Sequence, residues 1–136
     1  MLYYLLTQAK ASEINTNLIL DRFVFALKQN NDFQRIISTS RPYKYKEYVV
    51  YVEKNNDNNY YFGFSVGKKV GNAVVRNHVK RQLRNIVSKN KYKNGFICII
   101  IVNKNILNRT FEEMSINLNH IFNNLNIIKE IKNEEI

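Results

Sequence analysis

Two different periodicities divide this chain. Glu47–Glu53 (EYVVYVE) and Tyr60–Val66 (YYFGFSV) are dense in β-branched and aromatic residues, and the polar run KNNDNN lies between them. That pattern predicts two strands joined as an antiparallel hairpin. From residue 73 the spacing becomes helical. Val75, Val79, Leu83 and Ile86 step by four, four and three, a buried stripe on a helix from Ala73 to Lys89. Asn94–Gly95 ends that region, and Phe96–Val102 is apolar throughout, as in a strand covered on both faces. A last helix begins at Thr110, which forms a capping box with Glu113. Phe111, Met114, Leu118, Ile121, Leu125 and Ile128 line one side of it.

Nearer the N-terminus, Phe33, Ile36 and Ile37 share one face of a short helix. Asn31 or Asp32 caps it and Arg41–Pro42 stops it. Leu2–Ala11 and Asn17–Lys28 are apolar enough for helices but lack a clean period. The chain therefore reads as an N-terminal extension (1–30), an α+β domain (31–128) and a C-terminal tail (129–136). The domain packs helices on a small central sheet, in the order helix–hairpin–helix–strand–helix. At 136 residues and 45% hydrophobic content it is one globular domain by length and composition. The single Cys98, inside the apolar run, packs as a small hydrophobe and permits no internal disulfide, which fits a reducing cytosol. No run approaches the ~18 apolar residues of a spanning helix. A soluble, cytoplasmic protein with no membrane partner is expected.

Charge changes this picture. No Asp or Glu occurs between Asp57 and Glu112, yet that window holds eleven of the 21 Lys and Arg, so it accounts for the formal net charge of +10. A block so one-sided repels itself in the folded state, and a polyanionic partner is the usual compensation. Lys and Asn are abundant throughout, but the stretch GFSVGKKVGNAVVRNHVKRQLR (Gly63–Arg84) runs against that bias with Gly, Ala, Val and Arg. On its helix, Arg76, Lys80 and Arg84 step by four along a face apart from the apolar stripe, with Asn77 and Arg81 beside them. Steps of four place cations about 6 Å apart along the axis, close to the spacing of phosphates on a nucleic-acid strand. Gly67 and Gly71 let the loop backbone approach a phosphate beside Lys68 and Lys69.

Catalytic chemistry is hard to assemble. His78 and His120 are isolated, and neither has a partner at metal-ligand spacing. No carboxylate pair is placed for acid–base work. GFSVGK (Gly63–Lys68) is one residue short of a nucleotide-binding loop, and Lys69 stands where that loop needs Ser or Thr. Phe33, Tyr51, Tyr61 and Phe62 are candidates for stacking on unpaired bases, with at least half of them required for the core by strand alternation. The residues describe a non-catalytic nucleic-acid-binding domain. A structural RNA-binding protein such as a ribosomal protein uses similar features, whereas a helix-turn-helix DNA binder needs a preceding helix in place of this Gly-rich loop.

The Gly63–Arg84 stretch closely resembles the signature of the bacterial ribonuclease P protein subunit, which runs roughly SVxKKxGxAVxRNRxKRxxR. Asp32–Phe33–Gln34–Arg35 resembles that family's first-helix motif, Tyr48–Tyr51 its first strong strand and Phe96–Val102 its late central strand. The resemblance spans about Asp32 to Leu125. It implies an α+β fold with a left-handed crossover between parallel strands. It also implies a protein that assists a catalytic RNA in Mg²⁺-dependent removal of the 5′ leader from precursor tRNA, with no obligate protein partner. The RNA would perform the hydrolysis and hold most of the Mg²⁺, and the isolated protein would be inactive. Carried over by motif, Lys68, Lys69, Arg76, Asn77, His78, Lys80, Arg81 and Arg84 would contact the RNA subunit. Phe33 and Tyr51 would contact the leader. The chain departs from the pattern at His78, which stands for an Arg, at Ile37, often aromatic, at Ser40, usually Gly, and at Asn103, near a common Arg.

Overall fold

The structure is a computed structural model that describes residues 7–8, 30–56 and 58–129. A five-stranded sheet carries strands in the order β1-β4-β5-β3-β2. They are β1 (Thr7–Gln8), β2 (Tyr43–Tyr45), β3 (Tyr48–Lys54), β4 (Tyr60–Val66) and β5 (Phe96–Val102). The helices are α1 (Asn30–Thr39), α2 (Ala73–Ser88) and α3 (Phe111–Asn124), with a 3-10 turn at Lys104–Asn108.

β3 and β4 do not pair with each other. β5 lies between them, antiparallel to β3 and parallel to β4, with Val50, Ile100 and Phe64 abreast. The expected hairpin is thus replaced by a split pair. A strand apolar on both faces, FICIIIV, gains most from the central slot, where both edges and both faces are covered. The polar loop that suggested a tight turn instead arches over the start of β5. Asn55 N–H donates to Gly95 O at 2.9 Å, and Gly95 N–H donates to Asn59 O at 2.8 Å. Gly95 takes φ 88, a conformation open to glycine at no steric cost. The actual hairpin joins β2 to β3 through Lys46–Glu47, a strand too short to stand out in the sequence.

Strand alternation sorts the core into two layers. Tyr48, Val50, Phe62, Phe64, Val66, Cys98, Ile100 and Val102 belong to the larger cluster, which takes in buried residues of α2 and α3. Phe33, Ile36 and Ile99 form a smaller one on the opposite sheet face, with Ile37, Tyr51, Ile97 and Ile101 packed against it. The sheet is therefore covered by α1 on one side and by α2 and α3 on the other. Cys98 is fully buried, and burial pushes its thiol well above the ordinary range. Phe62, considered above for stacking, is buried in an aromatic group with Tyr60, Tyr92, Phe96 and Phe122.

Helix ends follow local chemistry. Thr110 and Glu113 form the expected capping box on α3. That helix stops at Asn124 rather than continuing to Ile128. Asn126 sits at φ 59, its N–H bonds to Asn123 O, and the Ile127 N–H bonds to Phe122 O. This is a Schellman termination, with buried Ile127 and Phe122 supplying its apolar contact. The residues beyond fold back: Ile128 bridges to Tyr92, and Lys129 N–H bonds to Lys91 O. At the other end α1 starts at Asn30, just before the anticipated cap. Thr7 and Gln8, inside a segment expected to be helical, are extended and pair with Phe62 and Tyr61. The rest of the expected 1–30 extension and the tail beyond Lys129 lie outside the described residues.

The strand order has a direct test. Val52 stands opposite Cys98 in the β3–β5 ladder, and cross-strand Cα separations of about 4.5–5.5 Å fall within the range a disulfide bridges. Val52→Cys refolded under oxidising conditions should lose both thiols to an intramolecular 52–98 bridge, read by thiol titration and intact mass. A β3–β4 hairpin would leave both thiols reduced.

Candidate nucleic-acid interface

The loop leaving β4 and the helix it feeds are shaped by short-range constraints. Val70 N–H bonds to Gly67 O at 3.0 Å and Gly71 N–H to Lys68 O at 3.2 Å, folding the loop into successive turns. Asn72 caps α2, its side chain accepting from Val75 N–H at 3.0 Å. The two loop glycines answer different needs. A Cβ at Gly71 would lie 2.8 Å from Val75 Cγ1, so the first turn of α2 requires a glycine there. A Cβ at Gly67 would meet nothing within 4 Å. Neither has positive φ, so close approach, rather than turn geometry, is what these positions offer. Lys68 and Lys69 are exposed on the loop between them.

Along α2 the buried stripe is Arg76, Val79, Leu83, Ile86 and Val87, while Val75 is only half-buried and Val74 is 77% exposed. The expectation that Arg76 lies apart from this stripe is therefore corrected: it is 8% exposed, and its Nε donates to Gly71 O at 3.1 Å. The spacing carried that signal. Arg76 precedes Val79 by three and Leu83 by seven, the steps of a helical packing face. Arg76 anchors the loop to the helix through its guanidinium, and its aliphatic stem joins the packing.

Lys80 and Arg84 continue the row from Arg76 as half-buried side chains. Asn77, His78 and Arg81 are exposed on the outer side. The structure thus gathers all eight residues of the basic motif on one loop and helix, graded from an anchored arginine to open solvent. Like charges are crowded there. Burial, then the neighbouring Arg84 and Arg76, pull the Lys80 ammonium down to about 8. A polyanion laid along this row would relieve that repulsion and restore the proton.

Three other cations of the acid-free window make contacts within the protein. Arg109 Nε donates to both carboxylate oxygens of buried Glu47 at 3.1 Å, and that partner raises the guanidinium above its usual value. Lys89 sits over the Phe111 ring, and Lys93 donates to Asn126 Oδ1. Of these three only Arg109 is neutralised by a carboxylate, and Lys89 and Lys93 stay exposed. Asn103, one of the departures noted above, caps the 3-10 turn and donates its N–H to Glu47 O.

Phe33 and Tyr51 come together on the sheet face opposite α2. Phe33 is 2% exposed. A ring buried to that extent offers no face to a base, so the stacking role expected of it is replaced by a packing role that seats α1 on β5. Tyr51 is half-buried beside it. The sequence reading missed the Arg35–Glu53 ion pair, which ties α1 to β3 next to this cluster. Among the described residues no three His, Cys, Asp or Glu side chains gather, and Glu47, Glu53 and Glu113 are each engaged by Arg109, Arg35 and the α3 cap. These carboxylates do not fit a Mg²⁺ cage, which calls for several convergent oxygens.

Comparison with known proteins converges on one family. A family model described as Ribonuclease P matches residues 24–126. The ribonuclease P protein component of Mycoplasma mycoides subsp. mycoides SC is 39% identical over 109 residues, covering 78% of this chain and 94% of that protein. Its counterpart in Bacillus cereus (strain AH187) is 35% identical over 99 residues, covering 71% and 86%. Among solved structures, the Staphylococcus aureus RNase P protein aligns with a TM-score of 0.66 at 30% identity, over 74% of this chain and 94% of that one. The RNase P protein from Thermotoga maritima aligns with a TM-score of 0.62 at 26% identity, over 68% and 89%. β1 lies outside the span matched by the family model.

The two glycines and Arg76 should separate folding from binding. Gly71→Ala forces a Cβ into Val75 and should cost ~1–3 kcal/mol in denaturant unfolding. Gly67→Ala should unfold like the unmodified chain. Arg76→Ala should lower stability as well as RNA affinity, whereas Arg81→Ala, on the exposed side, should lower affinity alone.

Proposed function

Because this chain belongs to the ribonuclease P protein family, we propose that it binds the enzyme's RNA subunit through the Gly67–Asn72 loop and α2. In the same reading, the opposite sheet face around Tyr51 meets the 5′ leader of precursor tRNA. Family membership carries the general role, an RNA-binding component in tRNA 5′ processing within the ribonuclease P ribonucleoprotein. The single observation behind the interface is the row Arg76–Lys80–Arg84, in which burial first, and then the neighbouring Arg84 and Arg76, pull Lys80 down to about 8. Such a row is electrostatically poised for phosphates. Arg forks bind them bidentately, and the exposed Asn77 can reach a 2′-hydroxyl or base edge. His78, where the family pattern has Arg, can still donate a hydrogen bond to a phosphate oxygen.

In this reading the RNA subunit carries out the phosphodiester hydrolysis and supplies the oxygen ligands for Mg²⁺. The protein's side chains bind, orient and neutralise. Screening of phosphate repulsion by the α2 row would let the RNA assemble its metal sites at lower Mg²⁺. A half-buried tyrosine beside an apolar cluster suits an unpaired leader base, since stacking is indifferent to base identity. The ribosomal-protein alternative has no observation that favours it over this one.

Two measurements test the assignment. The protein added to its cognate catalytic RNA at low Mg²⁺ should stimulate cleavage of precursor tRNA at the mature 5′ end, and the protein alone should leave the substrate intact. Tyr51→Ala should reduce the preference for precursor over mature tRNA by about fivefold or more, from the ~1–3 kcal/mol of one stacked base. A preference for precursor unchanged from that of the unmodified protein would remove Tyr51 from the leader site.

Lys80 gives a pH signature. Its depressed pKa means that the charged form is disfavoured in the free fold, a penalty complete below pH 8 and relieved as pH rises from about 8 toward the ordinary 10.5. RNA binding needs the charged form, so affinity should fall as pH rises through 8, by roughly three- to tenfold at pH 9. Lys80→Arg should abolish that step. A flat profile for the unmodified protein would place Lys80 away from the phosphates.

A further inference from the structure

Beyond α2, the helical layer carries a side-chain cluster that the assignment above leaves unused. Tyr43 and Tyr45 of edge strand β2 both lean toward α3. The Tyr45 and His120 rings lie with centroids 4.6 Å apart at 33°. His120 is exposed, yet it is fixed in place: its Nε2 lies 3.0 Å from Asn124 Nδ2, and the same amide donates to Tyr43 Oη at 2.7 Å. A ring held by Tyr45 on one side and by Asn124 at its edge keeps an outer face toward solvent.

Lys46 brings charge to this ring pair. Its Nζ lies 5.5 Å from the Tyr45 centroid. Lys46 also has φ 51, in the two-residue loop between Tyr45 and Tyr48. Glycine or asparagine takes that conformation most cheaply, and a lysine there sacrifices some fold stability. Backbone strain of this kind collects where a side chain is needed for function. Among the described residues, Glu47 is buried against Arg109, and Glu112 and Glu113 lie in the first turn of α3, at its other end. Ile116, one turn before His120, is 62% exposed and extends the platform with apolar surface.

We propose that Tyr45, His120 and Lys46 form a second RNA contact. An unpaired base stacks on the outer face of His120, and its phosphate sits at the Lys46 ammonium. The ring pair tolerates any base, and the cation selects a nucleotide over an apolar peptide. The occupant is the RNA subunit, because the cluster belongs to the same layer as α2, whereas Tyr51 lies on the other face of the sheet. This rests on the assignment of α2 to that RNA.

The experiment measures affinity of the full-length protein for the cognate RNA subunit. His120→Ala should weaken binding roughly fivefold to a hundredfold, and His120→Tyr, which keeps a ring, should stay within about threefold. Lys46→Gly separates fold from function: it relieves the loop, so its melting temperature should hold or rise while affinity drops several-fold. Arg84→Ala serves as the reference. If Arg84→Ala weakens binding while His120→Ala and Lys46→Gly bind like the unmodified protein, the second contact is wrong and the α2 assignment stands. If none of them weakens binding, both are wrong. Loss confined to precursor tRNA, or a change in sedimentation without loss of RNA affinity, would assign the patch to the substrate or to a protein partner and overturn the proposal.

Discussion

The structure depends on β5 being flanked by strands that run in opposite directions. Its seven apolar residues are paired along their whole length, antiparallel to β3 and parallel to β4. A parallel neighbour cannot be reached by a tight turn, so the chain must cross the sheet between β4 and β5, and the crossover is α2. That requirement sets the basic helix across one face of the sheet with its N-terminal loop at the C-terminal edge of β4. It also makes the polar loop between β3 and β4 span the β5 strand, held at both ends by Gly95. The same sheet edge holds the Glu47–Arg109 pair, where the β2–β3 turn meets the segment leading into α3.

On that crossover, packing and charge share the same residues. Arg76 is at once part of the buried stripe and the hydrogen-bond donor that ties the loop to the helix. Gly71 is small because Val75 fills the space above it. The cations that follow lie close enough for Lys80 to register their presence in its proton affinity. Crowding these cations costs stability, because like charges repel one another in the folded state. Placing the aromatic cluster of Phe33 and Tyr51 on the far side of the sheet keeps a second surface separate from this edge.

Much of this could be read from the chain. The strands at 48–54, 60–66 and 96–102, the helix from Ala73 and the Thr110–Glu113 cap all lie where hydrophobic periodicity and capping chemistry place them. The run from Gly63 to Arg84 identified the family, because its unusual residue types at fixed spacing oppose the composition of the rest. Strand pairing was not legible. KNNDNN serves equally as a hairpin turn or as a bridge over a third strand, and what decides is competition for the central slot, which no local window contains. β1 and β2 were missed because two or three residues carry too little pattern.

The sequence by itself determined the types of the longer elements, the family and the list of basic residues. Those follow from local spacing and side-chain chemistry, which survive any arrangement of the elements. Only the tertiary structure decided how each listed side chain is used. It buried Arg76 and Phe33, turned Arg109 inward to Glu47, and left Asn77, His78 and Arg81 in solvent. The physical reason is that burial depends on which surfaces meet. A residue near the border of an amphipathic face, such as Arg76, or on a short helix such as Phe33, becomes core or surface only when a neighbouring layer settles against it.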